Sequence, residues 1–273
     1  MNRKTTSIVL LAALVLLAIG GIGCEKLKAR DQLNKGVQAF RAGNYPGAVE
    51  NFKTAISLDP TYPVARQYLA VAYMMQYIPQ AESPENLRMA KAAEDEFRTV
   101  LKDEPNNSGA LAYLAKLYFD QGRLDESWTE YKKLISVDPK DKTAYYTLGV
   151  IAWKKTYTPR IDARASVGMK PDDPGPIKDK KVREALAAKN LPIVLDGLAS
   201  LEKAMAIDPE YDDAMSYTNL LYREKSDLEP TAAECKQDID TANNWVEKSL
   251  AIKKVKTARE AAKGGGGLTT GAK

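Results

Sequence analysis

The chain has 273 residues, 44% of them hydrophobic and 28% charged, the balance of a protein with a sizeable folded core. It contains no histidine and only two cysteines, Cys24 and Cys235, which removes Ser-His-Asp and Cys-His nucleophiles, nearly every imidazole metal site, thiolate clusters and a disulfide framework. The net charge is +4, but residues 24–252 hold 32 bases against 35 acids, and a slightly acidic body is not the footprint of a nucleic-acid binder.

At the N-terminus, Met1–Ser7 is short and positive, Ile8–Ile19 is an unbroken apolar stretch, and Gly20-Gly21-Ile22-Gly23-Cys24 follows. That order is the one of an export signal. Sixteen residues from Ile8 to Gly23 reach about 24 Å as a helix, short of a hydrocarbon core of about 30 Å. Ile22-Gly23-Cys24 resembles the lipobox of bacterial lipoproteins, with Gly21 standing where leucine is usual. The resemblance implies lipidation of Cys24; an uncleaved anchor in residues 1–23 and simple secretion remain the alternatives. Each of the three puts the body outside the cytoplasmic membrane, in the cell envelope facing the periplasm or the exterior.

From there the chain repeats. Leu58-Asp59-Pro60, Asp103-Glu104-Pro105, Val137-Asp138-Pro139 and Ile207-Asp208-Pro209 each mark a helix stop, because proline cannot continue a helix and pushes its predecessor out of the helical region. Pro105 and Pro139 lie 34 residues apart, and the neighbouring intervals, 45 and 70, are 34 with extra residues. Upstream of each stop a small-large alternation recurs: Ala48-x3-Phe52-x2-Ala55, Ala93-x3-Phe97-x2-Val100, Ser127-x3-Tyr131-x2-Leu134 and Gly197-x3-Leu201-x2-Ala204. Steps of three and four place these residues on one helix face, where the small ones admit a neighbouring helix and the large ones fill the gap. The preceding helix reads Arg66-x2-Leu69-Ala70-x2-Tyr73, Leu111-x2-Leu114-Ala115-x2-Tyr118 and Tyr145-x2-Leu148-Gly149, with Gly36 in the matching place of the first unit. Gly43 and Gly122 supply turns between paired helices.

These residues resemble the tetratricopeptide repeat, W-x2-L-G-x2-Y…A-x3-F…P. The resemblance implies an all-α, right-handed superhelix of helix-turn-helix units at about 29–62, 63–107, 108–141, 142–211 and 212–254, a solenoid over 24–255. It implies a non-catalytic scaffold whose first helices line a concave groove for a protein partner. On that face it would place Phe40, Met74, Met75, Phe119 and Trp153, with Val37, Val71 and Val150 one turn earlier. Aromatic and methionine side chains there suit a partner's apolar anchors, although they also suit packing between units. The basic and asparagine clamp of chaperone-binding members is not reproduced, because valines and Lys116 stand at those places.

The longest departure from the repeat runs over 156–191, where Pro159, Pro171, Pro174 and Pro176 predict a stretch without regular helix, followed by a short helix over Lys180–Lys189. It is either a surface excursion or a docking arm. A smaller insertion covers Gln76–Asn86, and 256–273 reads as a flexible basic and glycine-rich tail. Ser200-Leu201-Glu202-Lys203 has the Ser-x-x-Lys spacing of acyl enzymes but lies among core positions of a repeat helix and is expected on a solvated face. Acidic runs at Glu94-Asp95-Glu96 and Tyr211-Asp212-Asp213 are expected to decorate helix surfaces and first turns. No cofactor or metal is expected. A self-assembling scaffold and an enzyme using carboxylates near the insertion are the competing functions.

Overall fold

The computed structural model describes residues 25–264, and every element among them is helical. The helices are α1 (25–41), α2 (Tyr45–Leu58), α3 (Pro63–Met74), α4 (Pro84–Asp103), α5 (Ser108–Asp120), α6 (Leu124–Val137), α7 (Lys142–Ser166), α8 (Lys180–Ile207), α9 (Asp212–Ser226) and α10 (Ala232–Gly264). They divide after Arg123 into two compact units.

The helix stops fall where proline dictates. Helices α2, α4, α6 and α8 each end two residues before Pro60, Pro105, Pro139 or Pro209, and Asp59 (ψ 90°), Glu104 (ψ 77°) and Asp208 (ψ 96°) have left the helical region. These four prolines are exposed, as punctuation should be. Helix starts are capped by side chains: Asn44 Oδ1 accepts from the Gly47 amide, Asn107 from Ala110, Asp141 from Ala144 and Asp179 from Val182, at 2.9–3.0 Å. Gly43 (φ 76°) and Gly122 (φ 73°) take the left-handed conformation that ends α1 and α5.

In the first unit the fully buried Phe52 seats among Leu33, Ala48, Ala65 and Leu69, and Phe97 seats among Ala70, Ala93, Leu114 and Tyr118. Tyr73 packs against both clusters. In the second unit the corresponding positions Tyr131 and Leu201 are buried, and Leu201 joins Ala152, Val194, Ala214 and Leu221. The alternation of small and large residues is therefore the packing device it was expected to be.

Three expectations are corrected. The 156–191 segment is helical except for 167–179, because α7 continues through Pro159 to Ser166. The helix expected over Lys180–Lys189 is the first part of one helix that continues through Pro192 to Ile207. Both prolines sit on exposed faces, where water reaches the carbonyl that each deprives of a donor, while the opposite faces are held by tertiary burial. On that side Asn190 Nδ2 donates to the Thr156 carbonyl at 3.3 Å, and Leu186 and Val194 are buried. Residues 256–264, placed in a tail, belong to α10, which is fastened by Lys256 to Asp212 and by Arg259 to Glu210 (2.7 Å). The smaller insertion is stapled by Asn86, whose side chain bonds the Ile78 amide, the Ile78 carbonyl and the Ala81 carbonyl at 2.6–2.8 Å.

Candidate functional site

Four of the five expected groove residues belong to the first unit. Phe40, near the end of α1, is half-buried and meets the Tyr45 ring edge-on at 5.2 Å. Met74 is half-buried against the α3–α5 cluster, whereas Met75, the residue after α3, is 50% exposed. Phe119 is half-buried in the last turn of α5. Sequence reasoning missed two neighbours on the first helices of their repeats. Tyr68 lies stacked on buried Phe52 (centroids 5.5 Å) and Tyr113 on buried Phe97 (5.8 Å), and both expose about two-fifths of their surface. A register was available to find them, since each stands eight residues past a stop proline, as Tyr217 does.

Trp153, in the second unit, is packing as much as surface. Its ring stands 5.2 Å from Tyr157 and 5.8 Å from Tyr217, within an aromatic group that includes Tyr146 and Tyr211. Burial first, then the neighbouring Tyr217, Asp213 and Tyr211, push the Tyr146 phenol well above its ordinary value.

Each unit also holds an ionic network: the first is built on Glu94, which was expected on a helix surface, and the second on residues that the sequence analysis did not single out. Glu94 is buried, and its carboxylate takes Arg98 (2.9 Å), Arg123 (2.6 Å) and the Tyr118 hydroxyl (3.2 Å). Burial raises its pKa, but the guanidinium of Arg123 and its companions win and hold it below the usual range. In the second unit Arg160 donates from Nε to Glu224 (2.9 Å) and from Nη1 to Asp227 (2.9 Å). Arg164, 2% exposed, binds Asp227 and the carbonyls of Lys170 and Asp173, tying residues 167–179 to α9 together with the Ile177 amide on the Asp227 carbonyl. Glu224 is 1% exposed, and its Oε2 has no hydrogen-bond partner of good geometry among the described residues. Burial pushes its pKa up to about 7 against the pull of Arg160.

Two acids of the insertion are engaged with backbone, while Asp162 and Asp172 are exposed. Asp173 accepts the Lys170 amide (2.8 Å) and Asp179 caps α8. Ser200 is buried, not solvated, and donates to the Asp196 carbonyl (2.9 Å). Asp212 and Asp213 stand in the first turn of α9, as expected, but Asp212 is buried there and bound by Lys256. Cys235 is buried in α10. Among the described residues no cluster of acids or cysteines has metal-site geometry, and no helix is long and apolar enough to cross a membrane. Cys24 and the export-like segment lie outside the described residues.

The all-helical architecture with paired helices defines the class, and comparison with known proteins agrees. The sequence profile of the TPR repeat matches residues 38–76 and 115–155, so tetratricopeptide repeats lie over those two stretches. Over 139 residues it is 26% identical to the probable UDP-N-acetylglucosamine–peptide N-acetylglucosaminyltransferase SPINDLY of Hordeum vulgare, covering 48% of this chain and 14% of that one. Over 119 residues it is 30% identical to the small glutamine-rich tetratricopeptide repeat-containing protein 2 of Mycosarcoma maydis, covering 43% and 31%. The chain thus spans a third or less of these relatives. Among solved structures, MamA 41-end from Desulfovibrio magneticus RS-1 superposes with a TM-score of 0.57 at 17% identity, over 84% of this chain and 96% of that one. YrrB, titled a TPR protein with an unusual peptide-binding site, superposes with a TM-score of 0.50 at 14% identity, over 82% and 90%. At these identities the likeness is one of fold.

Proposed function

We propose that this protein is a non-catalytic interaction scaffold of the cell envelope that binds a segment of a protein partner on the first helices of its repeats. The observation that carries the reading is the exposure of large apolar side chains there: Tyr68 at 38%, Tyr113 at 40% and Met75 at 50%. Each aromatic lies flat on a buried phenylalanine, a rigid anchor that loses little entropy on binding. Placement in the envelope rests on the order of residues 1–24 alone.

The test is in-membrane cross-linking of the tagged full-length protein, followed by mass spectrometry, for the wild type and for the double variant Met75→Glu, Tyr113→Glu. Both positions are exposed, so helicity should survive. A partner captured by the wild type and lost from the variant is the expected result. A capture profile identical in both removes the groove reading. Capture of the protein itself alone would favour the second reading, a self-assembling scaffold.

A further inference from the structure

The second unit holds a cleft of about 800 Å³ that belongs to none of the positions discussed for the groove. Its walls are the C-terminal ends of α7 and α9, the first turns of α10, and residues 171–175 of the insertion. Proline and glycine shape that last wall, with Gly175 at φ 91°. The floor is the buried network of Arg160, Arg164 and Asp227.

Two guanidinium groups reach this cleft with donors to spare. Arg160 uses Nε and Nη1 on Glu224 and Asp227, and Nη2 has no hydrogen-bond partner among the described residues. Arg223 uses Nε on Asn219 (2.9 Å) and Nη2 on Asn243 (2.8 Å), which leaves Nη1. The N-terminal end of α10 opens on the same cleft at Ala232, adding the positive end of a helix dipole, and Lys236 stands one turn further on, paired with Asp240 (2.6 Å). The acids of the cleft offset this only in part. Asp227 is ion-paired with Arg160 and Arg164, whereas exposed Asp172 and half-buried Asp173, whose carboxylate accepts the Lys170 amide, keep their charge at the rim formed by the insertion. Behind Arg160, Glu224 shares its charge with a proton near neutrality, so the field at the cleft is more positive than a count of residues gives. Beside the cations lie apolar surfaces from Tyr157, Ile161 and Pro174.

We propose that this cleft is a second binding site, taking a carboxylate of an acidic, apolar-flanked segment of a protein partner on the free donors of Arg160 and Arg223. A guanidinium held by two carboxylates behind it is fixed in direction, and a planar fork matches a carboxylate. Tyr157, Ile161 and Pro174 then seat the neighbouring apolar side chain. The site stands independently of the groove, because it uses no residue of the first unit.

The test is calorimetric titration of the full-length protein with acetyl-Leu-Glu-Leu-Glu-amide, with its Gln-for-Glu counterpart, and with inorganic phosphate. Trp153, 5.2 Å from Tyr157, gives a fluorescence readout in parallel. The expected result is binding of the acidic peptide but not of the amide peptide, weakened about ten-fold by Arg223→Gln, a half-exposed position whose loss the fold tolerates. Lys236→Gln should weaken it less, and Tyr113→Glu in the first unit should leave it unchanged. Phosphate binding with the same dependence on Arg223, and no peptide binding, overturns the peptide assignment in favour of a free anion. Absence of any binding, or peptide binding indifferent to Arg223→Gln and Arg160→Gln, overturns the site.

Discussion

At the scale of single residues, the repeat is a set of close approaches that admit no extra atom. A Cβ added at Gly36 would fall within 3.0 Å of three atoms of the Phe52 ring, and one at Gly149 within 2.9 Å of three atoms of Leu201. Those side chains are fully buried and cannot swing away, so Gly36→Ala and Gly149→Ala should each cost about 1–3 kcal/mol by overpacking. Gly109→Ala is the control: it would meet the amide end of Gln67 at 2.6 Å, which can move, and should stay within about 0.5 kcal/mol. Denaturant midpoints measure all three, and equal effects at the three glycines would refute the close-packing account. Phe52→Ala removes a buried ring and should cost about 3–5 kcal/mol.

Glu224 gives a pH dependence with a definite sign. Its native value of about 7 lies above the ordinary 4.5, so the folded protein keeps a proton that the unfolded chain releases. Stability therefore falls as pH rises from about 4.5 to about 7, by about 3 kcal/mol for a shift of this size. Burial raises Asp227 in the same direction, while Glu94 and Asp212, held low by Arg123 and Lys256 against burial, contribute stability that is lost only as pH falls below the ordinary range of carboxylates. Glu224→Gln cannot titrate, so the decline between about pH 5 and about pH 7 should flatten in that variant. Parallel stability curves for wild type and variant would place the dependence elsewhere.

At the scale of elements, prolines of one sequence do two opposite jobs. Pro60, Pro105, Pro139 and Pro209 end helices, and these were legible because the residue before each is pushed extended whatever the rest of the chain does. Pro159 and Pro192 lie inside helices, and this was not legible, because what carries the helix through them is distant in sequence. Asn190 reaches Thr156, and Arg164 reaches Asp227. The same holds for the last turns of α10, held by Asp212 and Glu210, and for Glu94, whose partner Arg123 stands beyond the next helix. Local pattern likewise placed Trp153 on the groove face but could not foresee Tyr217 beside it. The two kinds of proline should respond with opposite signs. Pro192→Ala restores a helix hydrogen bond at an exposed position and should stabilise by about 1–2 kcal/mol. Pro60→Ala frees the unfolded chain and should destabilise by up to about 1 kcal/mol. Thermal melts that shift the same way for both would contradict the distinction.

At the scale of the whole molecule, charge and helix length bear on how such a protein would be held at a membrane. With the last turns of α10 included, residues 25–264 hold 37 bases and 36 acids, a balance that gives an anionic lipid surface little net pull on the body, and no described helix is long and apolar enough to span. Under the envelope reading proposed above, retention at a membrane is assigned to residues 1–24, either to their apolar run or to lipid on Cys24. The two routes separate at a single atom, the Cys24 sulfur. If it carries the lipid, Cys24→Ala blocks modification and the cleavage that depends on it, so the variant should accumulate with a larger mass that still includes residues 1–23. If those residues are an uncleaved anchor, wild type and variant should differ in mass only by the cysteine-to-alanine change and fractionate alike. Intact-mass measurement of both from membrane fractions decides between them; the lipid route predicts a wild type that begins at an acylated Cys24, and an unprocessed wild-type mass would overturn it.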